Sequence, residues 1–220
     1  MFMNSTFFGK ESSDDFLIII GVGNGPSCYG QSVDDADGSR TVYAIMGAWQ
    51  TDDEGMPVYD RHLPYSDTSV LAILLHEFSH SFVNYLTEKY KDLFRESAER
   101  VSSVLKSRDK LAGGFPWKTM LDEALVRASV IKYMKDHDFA QSEIDGEIKV
   151  HKDWWGFLWL EELVAELESY DRQRDIYPTL ESYVPKLVEF YKVWAERNQT
   201  EAPNVSRLSE YFLSEHAKGS

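Results

Sequence analysis

Residues 66–86 read SDTSVLAILLHEFSHSFVNYL, an apolar run that carries His76, Glu77 and His80 where leucine would pack better. The two histidines are four residues apart, about one helical turn, so both imidazoles project from the same face of a helix. Two ring nitrogens in that geometry can reach one zinc ion at about 2.0–2.1 Å. Glu77 lies beside them, where it can accept a proton from an attacking water. The H-E-x-x-H spacing therefore explains why an apolar helix contains these polar residues.

The setting of this motif supports a functional interpretation. Ser66 or Asp67 is a suitable N-cap, and we predict a helix from about Thr68 to about Tyr90. In a chain with 6 histidines, chance alone gives about 0.01 matches to the motif, so coincidence is a poor explanation. The alternative is an ordinary helix whose two histidines are buried and hydrogen-bonded.

Composition and charge limit the classes of function. The 220 residues are 43% hydrophobic, which is typical of a globular protein, and the formal net charge is −14. Such an acidic chain is not expected to bind nucleic acid or an anionic membrane, because both require clustered Lys and Arg. Its apolar runs are far shorter than the ~20 residues of a membrane span. Cys28 is the single cysteine, so a multi-cysteine zinc cluster is excluded.

The pattern along the chain predicts a small sheet followed by helices. Residues 16–22 and 41–49 are short, β-branched segments that we interpret as two antiparallel strands joined by a long, turn-rich loop. Residues 141–153 are polar and are interpreted as a linker. Beyond the motif, we predict four further helices, at residues 92–107, 118–136, 154–174 and 180–198, and a short amphipathic tail.

A third zinc ligand must come from elsewhere in the chain. The longer metzincin motif requires Gly and His where this chain has Val83 and Leu86, so a downstream glutamate is the natural ligand. Glu99 follows His80 by 19 residues and Glu123 follows it by 43. Spacing alone favours neither of the two glutamates.

Helical phasing separates the two candidates. Glu99 lies opposite the apolar face of its helix and is expected to point to solvent. Glu123 lies on the apolar side of the next helix, among Met120, Val130 and Met134, and away from the polar residues Asp122, Ser129, Lys132 and Asp136. A buried carboxylate needs a cation, and zinc would serve. The phasing therefore favours Glu123.

Two nearby polar residues have more than one interpretation. Arg127 lies one turn after Glu123, so a plain ion pair between them is the alternative to zinc binding. If Glu123 binds zinc, Arg127 becomes a residue that supports the ligand or binds a substrate carboxylate. Asn84 lies one turn after His80 and could orient a ligand or a substrate carbonyl, and a helix-capping or core-polar role is equally compatible with its position.

The sequence HEFSHSFVN (76–84) followed by MLDEALVRA (120–128) resembles the gluzincin class of zinc metallopeptidases. More narrowly, it resembles a family of bacterial domains of unknown function, suspected metalloproteases, that pair an H-E-F-S-H helix with a later E-x-L-V-R-A helix. The resemblance covers about residues 16–188. It implies that zinc is bound by His76, His80 and Glu123 and that Glu77 is the catalytic base.

The same resemblance implies an architecture. We expect one zincin-like α+β domain over residues 1–220, with a small N-terminal antiparallel sheet and a helical majority that carries the H-E-x-x-H helix. Residues 1–65 would hold the strand pair and loops, 66–140 the metal-binding helices and 141–220 the C-terminal helices. No signal peptide is visible at the N-terminus, whereas the resemblance suggests an exported bacterial protein whose signal is absent from this chain.

The expected function is zinc-dependent hydrolysis of a peptide or protein substrate. Strand 41–49 is expected to be the rim strand that binds an extended peptide. A tyrosine or histidine should stabilise the oxyanion, and four tyrosines remain open for this role: Tyr133, Tyr170, Tyr177 and Tyr183. The alternatives are a catalytically silent, zincin-fold peptide-binding module and a purely structural domain. The intact Glu77 favours the enzyme, because zinc coordination alone does not require it.

Overall fold

A small N-terminal sheet precedes a helical majority, which confirms the expected α+β class. The computed structural model describes residues 7–9, 14–21, 23–25, 27–34, 36–47, 53–54 and 68–199. The strands are β1 (Asp15–Ile20), β2 (Tyr29–Asp34) and β3 (Arg40–Met46).

The sheet is mixed, and β3 is its central strand. β3 runs parallel to β1, with Asp15 opposite Thr41, and antiparallel to β2, with Asp34 opposite Arg40. The predicted antiparallel pairing of the first and last strands is therefore wrong. β2 forms a hairpin with β3 through a short connection and takes the antiparallel position. β1 is left to pair with the other edge of β3, in the parallel direction.

The order of the strands also changes the expected rim strand. Because β3 is hydrogen-bonded on both edges, it has no free edge for an extended peptide, and the prediction that it is the rim strand is wrong. Within the described residues, the edge strands are β1 and β2. Of these, β2 crosses the H-E-x-x-H helix: a Cβ atom on Gly30 would lie 2.0 Å from the carbonyl oxygen of Glu77.

Six α-helices follow the sheet in the described chain, and they agree with the sequence prediction except over residues 141–159, where α4 and a π-helix replace the predicted linker and the predicted helix 154–174 begins only at Leu160. The predicted polar linker at 141–153 is wrong, because this segment forms a helix that continues into a π-helix. The predicted caps Ser66 and Asp67 and the C-terminal tail fall outside the described residues. The helices are α1 (Thr68–Lys89), α2 (Lys91–Ser107), α3 (Trp117–Asp136), α4 (Gln141–Lys149), α5 (Leu160–Arg172) and α6 (Val184–Asn198), with 3-10 helices at Leu111–Gly114 and Glu181–Tyr183 and the π-helix at Val150–Trp155.

Helix α1 lies between the sheet and the helical core. On one side it contacts the sheet, where Phe78 packs with the buried side chains Val42, Ala44 and Met46 of β3. On the other side it packs against α3, which also contacts α2, α4 and α5. The H-E-x-x-H motif on α1 therefore has the sheet on one side and α3 on the other. None of the described helices is long and apolar enough to cross a membrane.

The close approach at Gly30 gives a prediction about stability. Gly30→Ala should destabilise the protein by about 1–3 kcal/mol, because the added methyl group overlaps the backbone of α1 and must push β2 away. Gly146→Ala is the matched control: beyond its two chain neighbours and the local helix backbone, no described atom lies within 4 Å of its Cβ position, and alanine is the better helix former. Thermal unfolding measures both variants. If Gly30→Ala melts at the wild-type temperature, β2 does not lie this close to Glu77.

Candidate metal centre

The imidazole rings of His76 and His80 converge on the same face of helix α1. The Nε2 atoms of His76 and His80 are 3.1 Å apart, and the rings meet nearly at right angles, with centroids separated by 4.8 Å. Side chains four residues apart on a helix share a face, which is why the motif spacing produces this approach. The predicted convergence of the two imidazoles is present in the structure.

Helix α3 adds the third group. The Oε1 atom of Glu123 lies 3.5 Å from Nε2 of His80, and its Oε2 atom lies 3.6 Å from Nε2 of His76. A zinc ion with ligands at about 2.0–2.1 Å in tetrahedral directions separates its donor atoms by about 3.3 Å. The two separations from Glu123 are measured to its two different oxygens; with one donor atom taken from each residue, the three donors lie within 4.8 Å of one another, which is the spacing of a candidate site for one metal ion. The side chains of the triad keep 14–21% of their surface exposed, so the site is open to solvent.

Burial sets the protonation of the histidines. Loss of hydration lowers the pKa of His76 well below 6.5, and the positive charge of Arg127 lowers it further. Burial also lowers the pKa of His80, although a hydrogen bond to Asn84 opposes the change. Both imidazoles are therefore neutral near pH 7, which is the form that binds a metal ion.

Asn84 fixes the tautomer of His80. Its Oδ1 atom lies 3.1 Å from Nδ1 of His80 and accepts the proton there, so the lone pair on Nε2 is directed to His76 and Glu123. A hydrogen bond to the second ring nitrogen is a common support for metal-binding histidines. Of the roles considered for Asn84, the geometry fits the one in which it orients a ligand.

Glu77 lies beside the triad and is not part of it. Its side chain is buried, and burial raises the pKa of its carboxyl group to about 7, against the opposing effects of Arg127 and a backbone hydrogen bond from Gly30. A general base works best when its pKa is close to the working pH. The location and the pKa both suit the role of a base.

Arg127 pairs directly with Glu123, so the plain ion pair considered as an alternative is present. The same carboxylate also faces both histidines, and the two interpretations of Glu123 therefore coexist. The side chain of Arg127 is 9% exposed, and its guanidinium packs against two aromatic rings, with the central carbon 5.4 Å from the ring centre of Trp155 and 5.0 Å from that of Phe157. These contacts hold Arg127 rigidly behind Glu123.

A pocket of about 240 Å³ opens beside the triad. His76, Glu77 and Arg127 form part of its wall, and the remaining lining combines apolar and polar side chains from α1, α3, α4 and the π-helix. These are Ala72, Ile73, Val130, Glu147 and His151. The pocket gives a ligand access to the candidate base and to one face of the metal centre.

Two lining residues, Glu147 and His151, were missed at the sequence level because they belong to the segment interpreted as a linker. His151 lies in the π-helix and Glu147 in the last turns of α4. A usable signal was present: Ile144 and Ile148, one helical turn apart, both face the core. That spacing predicts an amphipathic helix across the polar segment.

Helical phasing predicts the exposed side of α2 correctly but does not predict which residues of α3 are exposed. Glu99 is exposed, as predicted. Helix α3, however, is buried on nearly all sides, and the face predicted to be polar and exposed is covered: Asp122 bonds Lys118 at 2.9 Å, and Lys132 pairs with Asp136 and Asp171. Glu123 is more exposed than Asp122. Its position beside the histidines, and not greater burial, distinguishes it.

The four tyrosines considered for the oxyanion do not line the pocket. Tyr170 and Tyr183 are buried in the helical core, where their hydroxyl groups donate to the carbonyl oxygen of Phe7 at 2.9 Å and to Glu166 at 2.7 Å. Tyr177 packs against Tyr183, and Tyr133 stacks on His137. The described residues therefore provide no tyrosine for this role in the pocket.

Comparison with known proteins identifies a family and nothing finer. No match is found among curated proteins or among solved structures. Residues 3–190 match the family model described as "Domain of unknown function (DUF4932)". This range contains the candidate triad, Glu77 and the pocket. The chain therefore belongs to the DUF4932 family of domains of unknown function.

Proposed function

We propose that the protein is a gluzincin-like hydrolase that uses one zinc ion to cleave peptide bonds. The observation that carries the proposal is the convergence of two neutral imidazoles and one carboxylate, with one donor atom from each of the three residues within 4.8 Å of the others. His76, His80 and Glu123 would hold the ion. Two histidines and a glutamate from a later helix form the ligand set of a catalytic zinc site, which keeps a fourth position open.

The chain's own residues support hydrolysis through the groups around the pocket. When bound, zinc acts as a Lewis acid that polarises a carbonyl group and acidifies water. In this proposal Glu77 takes the proton of the attacking water and returns it to the leaving amine. Its buried position and its pKa of about 7 allow both transfers near neutral pH. Simple metal storage would not require this carboxylate.

The position of β2 suggests where an extended substrate would bind. β2 crosses α1 at Glu77, where Gly30 lies against the helix backbone, and within the described residues it is paired only with β3. An extended peptide can add to such an edge through backbone hydrogen bonds. We therefore assign the rim-strand role to β2 in place of β3.

The function is tested by offering the zinc-loaded protein a mixed peptide library and sequencing the products by mass spectrometry. The proposal predicts new peptide ends with a reproducible sequence preference, and no cleavage after the metal has been removed with a chelator. A zinc-loaded protein that binds peptides and cleaves none would support the silent binding module. Intact peptides and no binding would contradict both functions.

The protonation of the ligands predicts how zinc affinity depends on pH. The pKa values of His76 and His80 lie below 6.5 in the fold, so protons should not compete with zinc between pH 8 and about 6.5. At lower pH, once the pH passes below the lowered pKa values of the two histidines, affinity should fall steeply and approach about 100-fold per pH unit when both imidazoles are protonated in the apoprotein. Titration with a competing chelator measures this. Affinity that stays constant through the acid range in which the apoprotein histidines are shown by NMR titration to become protonated would contradict histidine coordination.

A further inference from the structure

A chain of polar contacts connects the π-helix to Glu123. The Nε2 atom of His151 lies 3.2 Å from Oε2 of Glu147, and its Nδ1 atom lies 3.2 Å from Nε of Arg127. Arg127 in turn donates through Nη1 to the carboxylate of Glu123 and to its carbonyl oxygen, the latter at 3.3 Å. The four residues come from α3, α4 and the π-helix, and so join three elements behind the metal centre.

The chemistry of arginine fixes the direction of this chain. The Nε atom of Arg127 is always a donor, so Nδ1 of His151 must accept, and the ring proton lies on Nε2 facing Glu147. Both ring nitrogens are thus in use. The His151 side chain is 16% exposed, and the π-helix that carries it is a rare conformation found frequently at functional sites.

The chain of contacts determines how Glu123 meets the histidines. Arg127 holds Oε2 of the carboxylate, while Oε1 lies 3.5 Å from Nε2 of His80. A carboxylate rotates easily about its last bond unless one oxygen is held. His151 anchors the guanidinium from the other side through Nε, and Trp155, from the same π-helix, covers its face. The orientation of Glu123 therefore depends on His151 through Arg127.

We infer that His151 is a positioning residue of the metal centre: it fixes Arg127, and through Arg127 the orientation of the Glu123 carboxylate. The inference rests on the zinc site of the proposed function and does not depend on hydrolysis. Residues that orient metal ligands typically change metal affinity or activity about 10–100-fold when they are replaced. A His151 that merely fills space would leave metal affinity unchanged after an isosteric replacement.

Two substitutions separate the hydrogen bond from the packing. His151→Asn keeps a side-chain oxygen near the position of Nδ1, where it can accept from Arg127, whereas His151→Phe keeps a ring and removes the acceptor. We expect His151→Phe to weaken zinc binding about 10–100-fold and His151→Asn to retain most of the affinity. His137→Phe is the matched control, since His137 is exposed, contacts Tyr133 and does not line the pocket; it should leave zinc affinity and the Co(II) spectrum unchanged.

Zinc affinity is measured by competition with a chelator, and the Co(II)-substituted proteins are compared by their visible absorption, which reports the ligand geometry. His151→Phe should shift the Co(II) bands and His151→Asn should not. Thermal unfolding of the apoproteins identifies any variant that fails to fold. If His151→Phe does not fold, His151→Gln replaces it, because its amide reaches only the position of Nε2.

Three results would overturn the inference, and they are distinguishable. Wild-type affinity and an unchanged Co(II) spectrum in folded His151→Phe would mean that His151 does not position the centre. Equal losses in the Asn and Phe variants would mean that the bond from Arg127 is not the cause. A wild-type protein that binds no zinc would overturn the metal centre itself and this inference with it.

Discussion

Glu77→Gln is expected to remove almost all hydrolysis while leaving the zinc in place. The amide has the shape of the carboxylate but cannot accept the proton of the attacking water, and loss of a general base typically lowers kcat about 10²–10⁴-fold. Glu77 is outside the triad, so zinc content should remain at the wild-type level. The measurement is kcat on a cleaved library peptide together with the metal content of the same sample.

Glu88→Gln is the matched control for this substitution. Glu88 lies on the same helix but is 55% exposed and pairs with Lys91 on the surface. Its replacement should change neither zinc content nor kcat. Unchanged turnover in Glu77→Gln would sink the assigned mechanism. Loss of zinc in that variant would instead make Glu77 a ligand and would require a different base.

Glu123→Ala is expected to weaken zinc binding by more than about 100-fold and to abolish hydrolysis, because a ligand is lost and not only its support. The substitution also leaves the guanidinium of Arg127 buried without its carboxylate, which destabilises a fold by about 3–5 kcal/mol. Glu123→Gln avoids this problem, since its amide oxygen can still accept from Arg127. Zinc affinity measured in Glu123→Gln therefore reports the metal centre without loss of the fold.

Glu99→Ala provides the comparison from the neighbouring helix. Glu99 is exposed on α2, and its replacement should alter stability by less than about 0.5 kcal/mol and leave zinc affinity unchanged. If Glu99→Ala lost the zinc while both Glu123 variants kept it, the third ligand would have been assigned to the wrong helix. Equal affinity in all of these variants would mean that zinc binds elsewhere.

The parts of the site that were predictable from sequence depend on local spacing. His76 and His80 converge because residues one turn apart share a helix face, and no tertiary information is needed for that. The length of α1 follows equally from its apolar run, and the structure begins and ends it within one residue of the prediction. Local periodicity also predicted α2, α3 and α6 to within a few residues.

The parts that were not predictable depend on contacts between distant segments. β2 contains Gly30 and Ser32, residue types that are typical of turns, but Gly30 is required where the strand crosses Glu77. The sequence prediction omits β2 and pairs β1 with β3 as antiparallel neighbours. In the structure β2 forms the antiparallel hairpin with β3, and β1 pairs with the other edge of β3 in the parallel direction. Strand pairing is a property of the whole sheet and is only weakly encoded in each strand.

The candidate third ligand, Glu123, lies beside the two histidines, but the phasing that favours it is incomplete. The phasing predicts that polar neighbours such as Asp122 and Lys132 lie on the solvent-exposed side of α3 and that Glu123 lies on the buried side. In the structure both polar neighbours are buried and paired with other side chains. A central helix buries its polar residues by pairing them with neighbouring helices, so amphipathic phasing loses its meaning there. His151 was missed for a related reason, because its contact with Arg127 spans 24 residues.

The central claim is that Nε2 of His76, Nε2 of His80 and an oxygen of Glu123 bind one zinc ion. X-ray absorption at the zinc K-edge of the loaded wild-type protein tests it most directly. The predicted result is one zinc per chain, with a first shell of nitrogen and oxygen atoms at about 2.0–2.1 Å and the outer-shell signal of two imidazole rings. A sulfur shell at about 2.3 Å, a shell without imidazole, or no retained zinc would contradict the claim.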